Sequence, residues 1–193
     1  MSAKDKLLLA ARECLLAQGY AHTTVRDLVA ASGANQASIN YHFGSKERLL
    51  TRALRDLNTE WGELLFAVLK EADGVADGTR SRLGDQVGLW GRIIDSIQAN
   101  RSLWFVNFES VASVRQDDEI RGMIASGQEL ARASLARAFA GLGPDSDPGE
   151  VHAAGSHYLA LLVGLASQWL TDPERAPTAE QFVAGTFSPG PRC

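Results

Sequence analysis

Cysteine is nearly missing from this chain: Cys14 and Cys193 are its only two among 193 residues and sit at opposite ends, so neither a disulfide framework nor a metal-ligand spacing can be built. A reducing cytoplasm is the expected setting, with no metal or other cofactor. Charge is missing from one stretch, since Val151 to Thr171 holds no Asp, Glu, Lys or Arg. A run of about 20 apolar residues can cross a bilayer, but His152, Ser156, His157, Ser167 and Gln168 interrupt this one. The expectation is a helix buried between subunits, with no membrane partner. The first 20 residues contain Asp5, Arg12 and Glu13 and so lack the unbroken apolar core of a secretion signal. Alternating apolar patterns long enough for a sheet are absent, as are internal repeats. No Ser-His-Asp arrangement, Walker loop or HExxH run occurs, and His22, His42, His152 and His157 share no ligating spacing. Catalysis is therefore not expected.

What is present is ordinary globular material, with 45% hydrophobic and 22% charged residues. A length of 193 residues suits one compact unit or two small ones sharing a core. The net charge of −4 is uneven. Residues 1–50 carry six basic and four acidic side chains, a net of +2, which leaves −6 for the remainder. A mildly basic head on an acidic body fits a protein that touches nucleic acid at one end. Fifteen arginines against four lysines, with abundant Ala and Gly, hint at a GC-rich bacterial genome.

Gly and Pro divide the chain into helical pieces, so the fold is expected to be all-α. Ser2 with Asp5 reads as a capping box opening a helix that turns Leu7, Leu8, Ala11 and Leu15 inward and ends at Gly19. Thr24 with Asp27 repeats the device for a short helix, buried through Val25, Leu28 and Val29 and stopped by Gly33. Asn35 caps a third helix to about His42. Ser45 caps a long fourth one, near Lys46 to Ala72, whose stripe is Leu50, Leu54, Leu57, Trp61, Leu64, Leu65 and Val68. Beyond the polar link Asp73 to Gly78, helices are expected near 82–100, 101–115, 119–142 and 149–170, with a short one after Thr178 and a frayed tail at 188–193. The resulting division is a head at 1–47, a helical body at 48–187 and the tail.

Two short helices around the Gly33-Ala34 turn have the spacing of a helix-turn-helix. On the third helix, about 100° per residue puts Ile39 and Phe43 on one side and Ala37, Asn40 and Tyr41 on the other. Gln36 and Asn40 suit a bidentate pair with an adenine edge, and Ala37 suits a thymine methyl. Ser38 and Tyr41 can donate to phosphates. Lys46 and the amides opening the fourth helix offer a phosphate clamp, and Thr24 and Arg26 offer another from the second helix. Other roles compete. Thr24, Asn35 and Ser45 are explained by capping alone, Arg26 can pair with a neighbouring acid, and His42 can pack beneath its helix instead of reaching a phosphate.

The run Gly19-Tyr20, Thr23 to Leu28, Ala31, Gly33 and Ala37 to Glu47 resembles the helix-turn-helix signature of TetR-family regulators. The resemblance implies that Thr24, Arg26, Gln36, Ser38, Asn40, Tyr41, His42 and Lys46 occupy DNA-contacting positions. The chain departs from the family at Ala34, Ala37 and Asn40, where bulkier Val, Gly or Pro, and Tyr are common, which touches base preference more than docking mode. The resemblance further implies a homodimer whose second domain binds a small-molecule effector, repression being the usual outcome; two-fold symmetry calls for a roughly palindromic double-stranded DNA operator, and effector binding is expected to oppose DNA binding. A helical interaction module with a head that does not bind DNA is the alternative.

In the body, Leu103 to Val111 is apolar on most faces and is expected to be central, which sets Asn107 and Glu109 a solvation problem if buried. Trp61, Trp90, Trp104, Phe105, Phe108 and Glu109 are the candidate effector-binding residues, aromatic core with an internal Glu109 to Arg ion pair being the alternative. Pairing of two copies is assigned to Val151–Leu170. There Ala153, Ala154, Gly155, Gly164 and Ala166 permit close approach, Leu161, Leu165 and Trp169 supply area, and His157 and Gln168 can hydrogen-bond across a two-fold axis.

Overall fold

Several of the helices begin where a short polar side chain satisfies the free amides of a first turn, as Ser2, Thr24, Asn35 and Asp147 do. The computed structural model describes residues 1–73, 82–113 and 117–187, and nine helices are found among them: α1 Ala3–Gln18, α2 Val25–Ser32, α3 Gln36–Phe43, α4 Lys46–Asp73, α5 Arg82–Ala99, α6 Arg101–Ser113, α7 Asp118–Ala140, α8 Pro148–Thr171 and α9 Ala179–Phe187. Both expected capping boxes are formed. Ser2 Oγ accepts from Asp5 N while Asp5 accepts from Ser2 N, and Thr24 and Asp27 exchange the same pair of bonds. Each such cap is worth about 1 kcal/mol. The fold is all-α, as the punctuation implied. No described helix is long and apolar enough to cross a membrane. The expected link at 74–78 and tail at 188–193 lie outside the described residues.

The chain forms two compact units that are not simple halves of the sequence: Met1–Trp61 with Ser102–Ser126, and Gly62–Arg101 with Gly127–Cys193. In the first, Leu7 and Leu15 of α1, Leu28 of α2, Ile39 of α3 and Leu50 and Leu57 of α4 are at most 2% exposed. Val25, Val29 and Phe43, expected inside, are only half-buried. Two-turn helices such as α2 and α3 bring one residue each to the centre, and the flanking apolar residues stay at the rim. The α6 helix is less central than its composition implied. Leu103, Trp104, Val106 and Ser110 are buried while Phe105 and Val111 are about half exposed, at 46% and 49%.

The first unit is closed by long-range polar contacts. The carboxylate of Glu109 on α6 accepts from Tyr20 N at 3.0 Å, Thr51 on α4 donates to Asp117 at 3.1 Å, and Arg55 pairs with Glu119 of α7. Gly19 is required for this arrangement on two counts. Its φ is +78°, and a Cβ there would stand 2.5 Å from Glu109 Oε1, so the carboxylate fills the space that a side chain would need.

In the second unit α5 packs against α8 and α9. Trp90 lies between Phe139 and Phe182, with ring centroids 4.7 Å from each. Gly155 lets α8 approach α7 within the same chain, since a Cβ there would run into the carbonyl oxygen of Arg132.

Candidate nucleic-acid interface and effector cluster

Residue by residue, α3 is a helix held from one side. Asn35 Oδ1 accepts from Ser38 N at 2.9 Å and from Ser38 Oγ at 3.0 Å, and Ile39 is 1% exposed beneath. That leaves Gln36, Ala37, Asn40 and Tyr41 exposed, the tyrosine at 85%. An 85% exposed aromatic gains little from its own protomer, so its surroundings are set by whatever the helix meets. His42 is half-buried, with its ring edge-on to Tyr41 at 4.9 Å. Ser38 spends its hydroxyl on Asn35 and is the least available of the expected phosphate donors.

The flanking residues frame this helix. Thr24 is exposed at the start of α2, and its hydroxyl donates to Asp27 at 2.6 Å. Gln18 Nε2 donates to the same carboxylate at 3.1 Å. Hydrogen bonds from the Thr24 side chain and backbone, then from Gln18, hold the Asp27 carboxyl below its ordinary value. Arg26 is exposed. Lys46 does more than offer a charge: its ammonium donates to the carbonyl of Thr23 at 3.3 Å and lies 3.9 Å from Glu47, which ties the start of α4 to the loop before α2. Thr23 is 1% exposed, its hydroxyl donating to the Gly19 carbonyl at 2.7 Å. No periodicity marks Thr23 or Tyr20 as framework residues, because their partners are set by tertiary packing.

The candidate effector residues do not all come together. Trp61 and Trp104 meet edge-to-face, with centroids 5.1 Å apart, a pairing worth about 0.5–1.5 kcal/mol beyond burial. Phe105 and Phe108 are on the same helix as Trp104, half exposed and half-buried respectively. Trp90 instead belongs to the aromatic core of the second unit. Glu109 lies at the surface and accepts from Tyr20 N, where sequence considerations had allowed for a buried carboxylate beside the aromatic rings.

The sequence reading did not single out Asn58 or Ser110, which complete a polar cluster between α4 and α6. Asn58 Nδ2 donates to Ser110 Oγ at 2.8 Å and to Leu54 O at 2.9 Å, and Asn58 Oδ1 accepts from Asn107 Nδ2 at 2.9 Å. Ser110 Oγ donates on to Val106 O at 2.7 Å. Among the described residues the buried Trp61 Nε1, on the same helix as Asn58, has no hydrogen-bond acceptor. Leaving such a group unpaired costs roughly 1–3 kcal/mol.

On α8 the outward face from His152 to Gln168 carries no acidic, lysine or arginine side chain, and Glu150 is exposed in the first turn before it. His152, His157, Ala160, Val163, Gly164 and Gln168 are exposed, whereas Leu162, Leu165, Ala166 and Leu170 are buried within the chain. Of the residues assigned to pairing, His157 and Gln168 lie on the outward face, Leu161 is half-buried and Leu165 is fully inside. Trp169 is half-buried and donates through Nε1 to Pro177 O at 3.2 Å. Among the described residues no cluster of His, Cys, Asp and Glu could hold a metal.

Residues 7–53 match the family described as bacterial regulatory proteins, tetR family. The chain is 35% identical over 63 residues to the HTH-type transcriptional regulator QacR of Staphylococcus aureus, covering 33% of this chain and 34% of that protein. It is 36% identical over 56 residues to the HTH-type transcriptional repressor AcnR of Corynebacterium efficiens, covering 29% and 30%. The match thus spans about a third of the length of these curated relatives. In fold the likeness extends over nearly the whole chain. The multidrug binding protein EbrR complexed with imidazole superposes with a TM-score of 0.65 at 20% identity, over 96% of this chain and 94% of that one. A transcriptional regulator from Rhodococcus sp. RHA1 gives 0.66 at 19%, with the same coverage.

Proposed function

We propose, from the match of residues 7–53 to the family described as bacterial regulatory proteins, tetR family, that this chain is a homodimeric DNA-binding transcription regulator, a repressor released from its operator by a small molecule. The observation that carries the reading is the face of α3. Gln36, Ala37, Asn40 and Tyr41 are exposed with Ile39 buried behind them, and amides and a methyl are the groups that read the major groove. Thr24, Arg26, Ser38, His42 and Lys46 surround that face as phosphate contacts, which set register and orientation. Of these, Lys46 acts both directly and by holding the Thr23 carbonyl, since α2 and α3 can only be presented together.

The outward face of α8 pairs two copies, through His157, Gln168 and the small residues beside them. A two-fold dimer places its two α3 helices one DNA turn apart, about 34–36 Å, which calls for a roughly palindromic site. The effector site is built on Trp61 and Trp104 with the aromatic residues near them. QacR and AcnR are regulators of transcription by name, and EbrR is described as binding imidazole and proflavin, which supports both halves of the reading. Coupling runs through α6, which carries Trp104 and also Glu109, whose carboxylate holds Tyr20 N at the end of α1. Effector and operator then oppose each other, and whatever factor one takes from the other's affinity is returned in equal measure.

The test is selection of bound fragments from random DNA with no small molecule added. The expected result is an enriched palindrome with half-sites about 10 base pairs apart. Folded, dimeric protein that enriches no sequence would overturn the reading.

A further inference from the structure

A groove of about 400 Å³ opens between the start of α1 and the turn that joins α2 to α3. Ala3 and Lys6, three residues apart and so on one face of α1, line it together with Gly33, Asn35 and Ser38. No acidic residue is among its lining, and Asp5, next to Lys6 in sequence, turns its carboxylate back to Ser2 N at 3.0 Å. Two donors in the groove are unspent. Lys6 makes no ion pair or side-chain hydrogen bond among the described residues. Asn35 commits Oδ1 to Ser38 N and Ser38 Oγ, which leaves its amide nitrogen without a protein acceptor among those residues. The turn itself is fixed and open. Ser32 Oγ donates to Leu28 O at 2.6 Å and accepts from Ala34 N at 3.1 Å, while a Cβ at Gly33 would meet nothing within 4 Å. A cation and an oriented amide N–H beside an accessible turn make a donor set for a phosphate oxygen.

We propose that this groove takes a backbone phosphate of the same DNA duplex that α3 reads, with Lys6 supplying the charge and the Asn35 amide the directed donor. The inference rests on the regulator reading given above and deepens it by adding a contact from α1. Asn35 and Ser38 belong to the cap and first turn of α3, so an occupant of the groove also touches the helix that lies against the bases. His42 and Lys46 stand at the opposite end of α3, whose eight residues span about 12 Å. The major groove is about as wide, and clamps at both ends of α3 suit phosphates on its two walls.

Lys6 is exposed, so Lys6→Gln removes the charge and should leave the fold intact. Lys4 is exposed nearby and does not line the groove, which makes Lys4→Gln the control for net charge. Binding of parent and variants to a labelled duplex of random sequence is measured across a salt series. In Lys6→Gln the slope of log affinity against log salt is expected to flatten by about 0.9 for each protomer engaged. Lys4→Gln should keep the parental slope, and Lys6→Arg should recover it. Ethylation interference on the fragment this protein selects from random DNA gives a second readout: in Lys6→Gln one phosphate per half-site ceases to matter and the others are unchanged. An unaltered slope, an equal change in Lys4→Gln, or weakening at every phosphate alike overturns the proposal. So does an inorganic-phosphate effect, at constant ionic strength, that depends on Lys6 while the DNA slope does not, since the groove would then serve the free ion. Parent protein that binds no duplex sinks the regulator reading and this proposal with it, whereas parent that binds DNA with Lys6 indifferent sinks only the contact from α1.

Discussion

The outward faces of α3 and of α8 from His152 to Gln168 share two properties: neither carries an acidic or a lysine or arginine side chain, and neither is covered by its own protomer. They differ in what they expose. On α3 the exposed groups are two amides, a phenol and a methyl, which have directed donors and acceptors. On α8 they are mostly methyl groups and bare backbone at Ala160, Val163 and Gly164, with His157 and Gln168 between. On the proposed reading both are contact surfaces. Directed hydrogen bonding suits a base edge, and small apolar residues suit the close approach of another helix.

That contrast is broken most severely by placing a charge on α8. Val163 is 45% exposed, so Val163→Arg should leave the protomer folded while burying an unpaired charge between copies. Dimer affinity is expected to fall at least about a hundredfold, with operator binding lost alongside it, as read by sedimentation and gel shift. A variant that still dimerises at full affinity would place pairing on another surface. Substitution on α3 sharpens the other side. Asn40→Ala should cost about 1–3 kcal/mol on the preferred sequence and almost nothing on random DNA, whereas Lys46→Ala should weaken both alike and lower the salt slope by about one. Identical behaviour of the two variants would erase the distinction between reader and clamp.

The smallest effect concerns acid stability. Asp27 has its carboxyl held below the ordinary value by Thr24 and Gln18. A carboxylate with a depressed folded value stabilises the fold above its unfolded value, and this contribution is lost as pH falls through the folded one. Asp27→Asn should thus melt below the parent chain at neutral pH, the gap closing in strong acid. A gap that is constant with pH would assign Asp27 a purely geometric role.

The head was legible because its signals are local. Ser2 with Asp5 and Thr24 with Asp27 place helix starts within three residues, and the 100° step separates Ile39 from Asn40 without knowledge of any partner. The body was legible in its helices but not in its contacts. Trp90 and Trp61 look alike in sequence, yet one ends among Phe139 and Phe182 and the other edge-on to Trp104. Gly155 was assigned to approach between copies, and its close neighbour in the structure is Arg132 of the same chain. Leu165 likewise fell inside because α8 has apolar residues on nearly every side, so composition alone did not say which side faces inward. Glu109 and Tyr20, 89 positions apart, carry no joint signal at all.

That last contact has a consequence for the order of biosynthesis. The amide at Tyr20 leaves the ribosome long before the glutamate that accepts from it, and Thr51 and Arg55 likewise wait for Asp117 and Glu119. A nascent chain halted before residue 102 would hold all three reading-head helices with several of their tethers still to be translated. The excised 1–50 fragment is in that sense an unfinished object, and its behaviour alone is a poor guide to the head in the whole protein.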